Sequence, residues 1–259
     1  MQDNDKTGAG DGTSRPDGQT DNPLILKLES LATLSDDDRA VLQRVSAKPQ
    51  VVPAGTNLVR EGDAPAGVFL VMDGMAFRHK LRRNGSRQIM AYLLPGDLCD
   101  LDVALLRRMD HTITTFTACR VVRLAPETVA DLLGNHPRIA RVLRKAQLVD
   151  EATLREWLVN VGRRSADERI AHLLCELLLR LRAVGRTAGD GYALPITRED
   201  LADTTGLTSV HVNRMLGSLQ DRGLIELSER RLQILDLAGL EALAEFKPNY
   251  LHLGDQDAA

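Results

Sequence analysis

The residues best equipped to do chemistry lie in Thr197-Arg-Glu-Asp-Leu-Ala-Asp-Thr-Thr-Gly-Leu-Thr-Ser-Val-His-Val-Asn-Arg-Met-Leu216, and their chemistry is recognition rather than bond making. Thr197 with Asp200 three residues on has capping-box spacing and opens a short helix whose inner face is Leu201 and Ala202. The small Ala202 lets a second helix cross closely, Gly206 suits a left-handed turn, and Leu207 plugs the junction. Thr208 then caps a second helix that turns Val212, Met215, Leu216 and Leu219 inward. Its outward residues are Ser209, Val210, His211, Asn213 and Arg214, and all but Val210 carry groups that reach phosphates or base edges in a major groove. Thr197 and Arg198, at the start of the first helix, complete the candidate DNA-binding set on this unit. Beyond it, Leu224 to Leu235 reads as two short strands whose polar turn carries Arg230 and Arg231, the place of a wing that offers cations to the backbone beside the groove. The same elements would also fit a three-helix core with merely solvated charges, a ligand-binding or protein-interaction module that no longer binds DNA. The joint presence of Asn213, Arg214 and the wing arginines favours the reading unit.

A second group of polar residues falls among predicted strands: Gly96, Asp97, Leu98, Cys99, Asp100, His111 and Thr112 are the candidate effector pocket. His79 and His111, with Cys99, could in principle hold a metal or haem. No H-x-H or C-x-x-C pair occurs, so the sequence predicts no metal site, no cofactor and no enzyme activity. Cys99, Cys119 and Cys175 are far apart and read as reduced, apolar thiols, although Cys99 and Cys119 could sense redox state.

These residues need elements to hold them. Residues 1–23 are almost all Gly, Asp, Asn, Ser, Thr, Gln or Pro and read as a disordered tail. From 24 to 136 a helical entry, with Ser35 as N-cap ahead of three aspartates, leads into short β-branched runs broken by Pro-Ala-Gly, Glu-Gly-Asp, Asp-Gly, Asn-Gly and Pro-Gly-Asp. That pattern predicts an antiparallel jelly roll able to hold one small ligand. Residues 137–162 read as one helix with Ile139, Val142, Ala146, Val149 and Thr153 at heptad-like spacing, followed by Leu154, Trp157, Leu158 and Val161. A helix of roughly 24 residues is about 36 Å long, more than one small roll covers. Val142, Ala146, Val149, Thr153, Leu154 and Trp157 are therefore expected to pack on a second copy, with an intrachain core helix as the alternative. Residues 163–248 form the winged helix-turn-helix, with a Gly-rich linker at 185–191, and 249–259 a C-terminal tail. The fold class is α+β.

Composition narrows the rest. The 259 residues are 43% hydrophobic and 27% charged, an ordinary globular mixture. No apolar run approaches membrane-spanning length and the start lacks signal-peptide character, so a cytoplasmic protein with no membrane partner is expected. Removing the acidic first 23 residues leaves the remainder formally neutral. A nucleic-acid surface must then be a local patch.

From about Leu24 to Phe246 the chain resembles Crp/Fnr-family transcriptional regulators, in Pro53-Ala-Gly-Thr, Arg60-Glu-Gly-Asp, Phe69-Leu-Val-Met-Asp-Gly, Pro95-Gly-Asp-Leu, Ala166-Asp-Glu-Arg-Ile-Ala and Ile196-Thr-Arg through Asn213-Arg214. Ala166-Asp-Glu-Arg169 and Gly206-Leu-Thr208 lean toward the Fnr side. The resemblance implies a cyclic-nucleotide-binding-like roll, a long dimerisation helix and a winged reading domain on a two-fold double-stranded DNA site near a promoter, with RNA polymerase as a further partner. Members that bind a cyclic nucleotide carry a Gly-Glu-Leu turn and then Arg-Ser-Ala. Here the turn is Gly96-Asp97-Leu98 and the later stretch Met109-Asp110-His111-Thr112, so the phosphate arginine is missing and no counter-cation for the local aspartates is evident. Oxygen-sensing members carry an N-terminal cysteine cluster, which this sequence lacks. Val210 stands where familiar members have Glu, so the half-site should differ at that base pair while Arg214 keeps its guanine. The effector and the direction of regulation stay open.

Overall fold

The computed structural model describes residues 21–101 and 103–254, so most of the expected tail, residues 1–20, lies outside the described residues. Order starts earlier than expected. Asn22 accepts hydrogen bonds from the backbone of Leu24 and Ile25 and caps α1 (Pro23–Glu29), whose proline sits at the first helical position. Ser35 and Asp38 form a reciprocal capping box for α2 (Asp36–Val45).

Eight strands follow: β1 (Gln50–Val52), β2 (Asn57–Val59), β3 (Val68–Asp73), β4 (Ala76–Leu81), β5 (Arg87–Leu93), β6 (Leu98–Cys99), β7 (Thr112–Thr115) and β8 (Cys119–Leu124). They make two antiparallel sheets, β1-β8-β3-β6 and β2-β7-β4-β5, which is the expected jelly roll. Burial alternates along β7, where Ile113 and Thr115 are buried, whereas in β8 the adjacent Val121 and Val122, which point to opposite faces, are both buried. The β5–β6 turn depends on Gly96, which has φ +92° and approaches α1 so closely that a Cβ there would lie 2.4 Å from the Pro23 carbonyl oxygen.

Helix α3 (Pro126–Asn135) leads into α4 (Pro137–Arg163), 27 residues and therefore about 40 Å long. Its first half buries Ile139, Val142, Leu143, Ala146 and Val149 against α1, α3 and the roll. Its second half presents Trp157 to α5 (Ala166–Ala183), which opens with a Ser165–Glu168 capping box. After β9 (Gly191–Ala193) come α6 (Arg198–Thr205), α7 (Ser209–Asp221), the hairpin β10 (Ile225–Ser228) and β11 (Arg231–Ile234), and α8 (Leu237–Ala244). Strand β11 lies between β10 and β9 in a small antiparallel sheet.

One core runs through both halves of the molecule. Phe77, Ile89 and Tyr92 of the roll share it with Trp157, Leu173, Leu201 and Leu216, and Tyr92 meets Trp157 edge-on with ring centroids 5.6 Å apart. The tail expected over 249–259 is corrected in its first half. Pro248–Leu251 forms a 3₁₀ turn that buries Tyr250 and Leu251, and the Gly254 N–H donates to the Ser30 carbonyl at 2.9 Å. Tyr250 and Leu251 join the core around α5, and that buried apolar area offsets the cost of ordering the segment. Residues 255–259 lie outside the described residues.

Candidate functional site

The α6–α7 unit is built on its caps. Thr197 Oγ1 accepts from the Asp200 N–H at 3.1 Å while the Asp200 carboxylate accepts from the Thr197 N–H at 3.0 Å. Gly206 closes α6 at φ +69°, and Thr208 Oγ1 accepts from the His211 N–H at 3.2 Å to start α7. Arg169 reaches across from α5 and donates to the carbonyls of Thr205 and Arg164, each at 2.9 Å, which ties the turn to the domain core. Val212, Leu216 and Leu219 are buried, as their spacing predicts, whereas Ser209, Val210, Asn213 and Arg214 are exposed and His211 is half-buried. Thr197 and Thr208 serve as caps, so their hydroxyls are already engaged within the chain. Arg198 is exposed at the start of α6.

Arg230 and Arg231 are exposed at the wing. Glu229 and Arg230 both have positive φ, 46° and 64°, as a two-residue mirror-image turn requires. Left-handed backbone at side-chain-bearing residues costs roughly 1 kcal/mol each. The Arg230 carbonyl helps to hold it, accepting from the Leu194 N–H at 2.7 Å.

The second candidate site is a cavity of about 350 Å³ between the roll and α4. Gly96, Asp97, Leu98, Asp100 and His111 line it, whereas Cys99 and Thr112 do not. Cys99 is buried with Val71, Leu93 and Ile113, and burial raises its thiol well above the ordinary range. Thr112 Oγ1 accepts from the Glu61 N–H. The expected lack of counter-cations is corrected here, because they arrive from distant elements. Arg78 of β4 donates to Asp100 at 2.7 Å, while Lys27 of α1 and Arg180 of α5 both bond Asp97, at 2.5 and 2.9 Å. Burial alone would raise the Asp97 carboxyl, but Lys27 and Arg180 overcome it and hold it below its usual value. Asp97 also accepts from the Leu94 N–H at 2.7 Å. It is a buried structural post for the turn.

His111 lies between Asp100 and Asp110, at 2.9 and 2.7 Å. Burial pulls its pKa down, but the bond to Asp100 and that carboxylate's charge prevail and raise it. His79 instead pairs with Thr114. Among the described residues no group of three His, Cys, Asp or Glu is placed to hold a metal, and no helix is long and apolar enough to cross a membrane.

The residues expected to pair with a second copy need correction as well. Val142, Ala146, Val149, Thr153 and Trp157 are buried against their own chain, because α1, α3 and α5 cover the face that the heptad-like spacing left open. Of that set only Leu154 is exposed, at 54%. The apolar residues of α4 left uncovered are Leu148, Leu154, Leu158 and Val159.

Sequence reasoning missed Lys27, Arg78 and Arg180 in the cavity wall. One signal was available: Glu176 and Arg180 stand four apart inside the leucine run of α5, and unpaired charges are seldom placed on such a face. Glu176 is fully buried, accepting from Arg180, from the Trp157 indole N–H at 3.0 Å and from the Tyr250 hydroxyl at 2.9 Å.

Comparison with known proteins agrees with this architecture. A family model for the Crp-like helix-turn-helix domain matches residues 168–243, and one for the cyclic nucleotide-binding domain matches residues 49–136. The nitrogen fixation regulation protein FixK of Bradyrhizobium diazoefficiens is 31% identical over 191 residues, which are 74% of this chain and 79% of the relative. The chain belongs to the Crp/Fnr family. The transcriptional activator protein FnrL of Cereibacter sphaeroides is 30% identical over 191 residues, 72% of this chain and 76% of the relative. Among solved structures, FixK2 from Bradyrhizobium japonicum superposes with a TM-score of 0.68 at 24% identity, covering 76% of this chain and 96% of that one. As a Crp/Fnr protein the chain is a DNA-binding transcription regulator, with α6 and α7 as its helix-turn-helix.

Proposed function

We propose that this regulator acts as a homodimer on an inverted-repeat promoter site, with α7 as the reading helix and the β10–β11 wing on the backbone. The observation that carries the reading is the exposed face of α7, where Ser209, Val210, Asn213 and Arg214 are open to solvent while Val212, Leu216 and Leu219 are buried and the roll packs against α6. Arg214 reads a base edge, Ser209, His211 and Asn213 assist, and Arg230 and Arg231 hold phosphates. Residues 24–136 receive the signal, 137–162 pair with the second copy through Leu148, Leu154, Leu158 and Val159, and 163–248 read DNA. RNA polymerase is the next partner, and the work is done in the cytoplasm without catalysis.

The signal enters the cavity and is not a cyclic nucleotide. Lys27, Arg78 and Arg180 are each bonded to a carboxylate, and Asp150 and Glu151 add two more acids to the wall. An anionic phosphate would have to break those pairs. Leu154 and Glu151 border both the cavity and the exposed face of α4, so a ligand there touches the surface that meets the partner. The deciding experiment is in vitro selection of DNA bound by the full chain, with and without a metabolite extract. An enriched two-fold sequence is expected, and recovery of unselected DNA alone would favour an interaction module.

A further inference from the structure

Between the two functional regions lies a polar contact that neither uses. Arg87 opens β5, on the roll, and its guanidinium forks onto the first helix of the reading unit. Nε donates to Asp203 at 2.7 Å and Nη2 to Asp200 at 2.5 Å. The two carboxylates are three residues apart on α6 and so share one face. The three side chains are 11 to 24% exposed, and the guanidinium lies 5.1 Å from the centre of the Phe77 ring. Further along β5, Tyr92 approaches Thr204 Oγ1 at 2.5 Å. That hydroxyl gives its own proton to the Asp200 carbonyl, so Tyr92 is the donor. Gln88 donates to the Thr204 carbonyl at 3.3 Å. One strand of the roll therefore holds α6 at both ends.

Asp200 links this contact to the reading unit. One carboxylate oxygen takes Arg87, and the other takes the Thr197 N–H and hydroxyl of the α6 cap. At its far end α6 passes through Gly206 directly into the cap of α7. We propose that Arg87 is a positioning residue for DNA recognition: its fork onto Asp200 and Asp203 sets the angle between roll and reading unit, and so the half-site spacing that the dimer accepts. The inference rests on the reading of α7 and the two-fold dimer proposed above. In a dimer the distance between two reading helices depends on how each is mounted on its own roll. Each added base pair shifts the second half-site by about 3.4 Å and turns it by about 35°. A loose mounting would tolerate such a change and a fixed one would not. A fork across two partly buried carboxylates gives angular as well as radial restraint, which a lysine's point charge does not.

The test uses inverted repeats of one selected half-site with spacers stepped by single base pairs, measured with the full chain carrying Arg87→Ala, Arg87→Lys, Asp203→Asn or Arg214→Ala. Wild type should favour one spacer. Arg87→Ala should reduce that preference about tenfold with affinity for random DNA unchanged, and Arg87→Lys should fall between. If Arg87→Ala melts below the assay temperature, Asp203→Asn, which takes the charge from one arm of the fork, and Tyr92→Phe, which removes one hydrogen bond, carry the same comparison. An unaltered spacer ratio in these variants overturns the proposal, as does a gain in affinity at the favoured spacer, which would make the fork a restraint on binding. If instead Arg214→Ala leaves half-site preference intact, it is the assignment of α7 that fails.

Discussion

Arg180, near the end of α5, donates from Nη2 to Oδ2 of Asp97 in the β5–β6 turn at 2.9 Å. The same guanidinium bonds Glu176 at 3.1 Å and the Tyr92 carbonyl at 2.9 Å, so a single side chain joins the helix-turn-helix domain to the wall of the cavity between the roll and α4. Burial lifts the Glu176 carboxyl, and Arg180 with the bonds from Trp157 and Tyr250 opposes the rise only in part. Arg180→Ala leaves a buried carboxylate short of its cation and should cost about 3 to 5 kcal/mol. Urea unfolding measures it, and a loss under about 1 kcal/mol would mean the pair is screened like a surface one.

Arg214→Ala should weaken binding to the selected site by about 1 to 3 kcal/mol and relax preference at one base pair. Arg230→Ala should weaken all sequences alike and flatten the salt dependence. Fluorescence anisotropy on specific and random duplexes at several salt concentrations separates the two patterns, and equal losses on both duplexes for both variants would remove α7 from base reading.

Leu154→Glu with Leu158→Glu should turn a dimer into a folded monomer, because both side chains are exposed on α4 and contribute little to the intrachain core. Val149→Glu should instead unfold the chain. Sedimentation at micromolar concentration decides the first point and thermal melting the second.

Calorimetric titration with cyclic AMP or cyclic GMP should give no saturable heat, since the cavity cations are already neutralised. A low-micromolar dissociation constant for either would show that the Asp97 or Asp100 pairs open on demand.

His172 is fully buried, 5.0 Å from the Phe246 ring and 6.0 Å from the Tyr250 ring between centroids. Burial, with Arg164 adding to it and Glu156 opposing, pushes its pKa down to about 4. The unfolded chain takes up this proton first, near the ordinary pH of about 6.5. The stability His172 permits is therefore intact above pH 6.5, declines below it and is lost by about pH 4, a swing of about 3 kcal/mol. Stability of His172→Phe against pH should be flatter over that interval; an unchanged profile would assign the acid sensitivity elsewhere.

The elements whose residues speak locally were legible in the sequence. Thr197–Asp200, Gly206 and Thr208 specify their caps and turn within a few residues, and the roll follows from its turn chemistry. Long-range partners were not legible. Arg87 and Asp200 are 113 positions apart, Lys27 and Asp97 are 70 apart, and no local pattern in either segment names the other. The heptad-like spacing of α4 correctly identified an apolar face, but periodicity carries no information about whether the same chain or another one covers it. Here α1, α3 and α5 do.

Tyr250 bonds Glu176, and Gly254 bonds Ser30 of the opening helical region. Both bonds reach far back along the chain, 74 positions in the case of Tyr250 and Glu176. Glu176 gains its hydroxyl donor, and the loop after α1 a backbone donor, from a segment that follows every element of the winged domain. The segment beyond the winged sheet therefore acts as a clasp between the α1 region and α5, and truncation before Tyr250 should leave Glu176 short of one donor and loosen the packing of the helix-turn-helix domain on the roll.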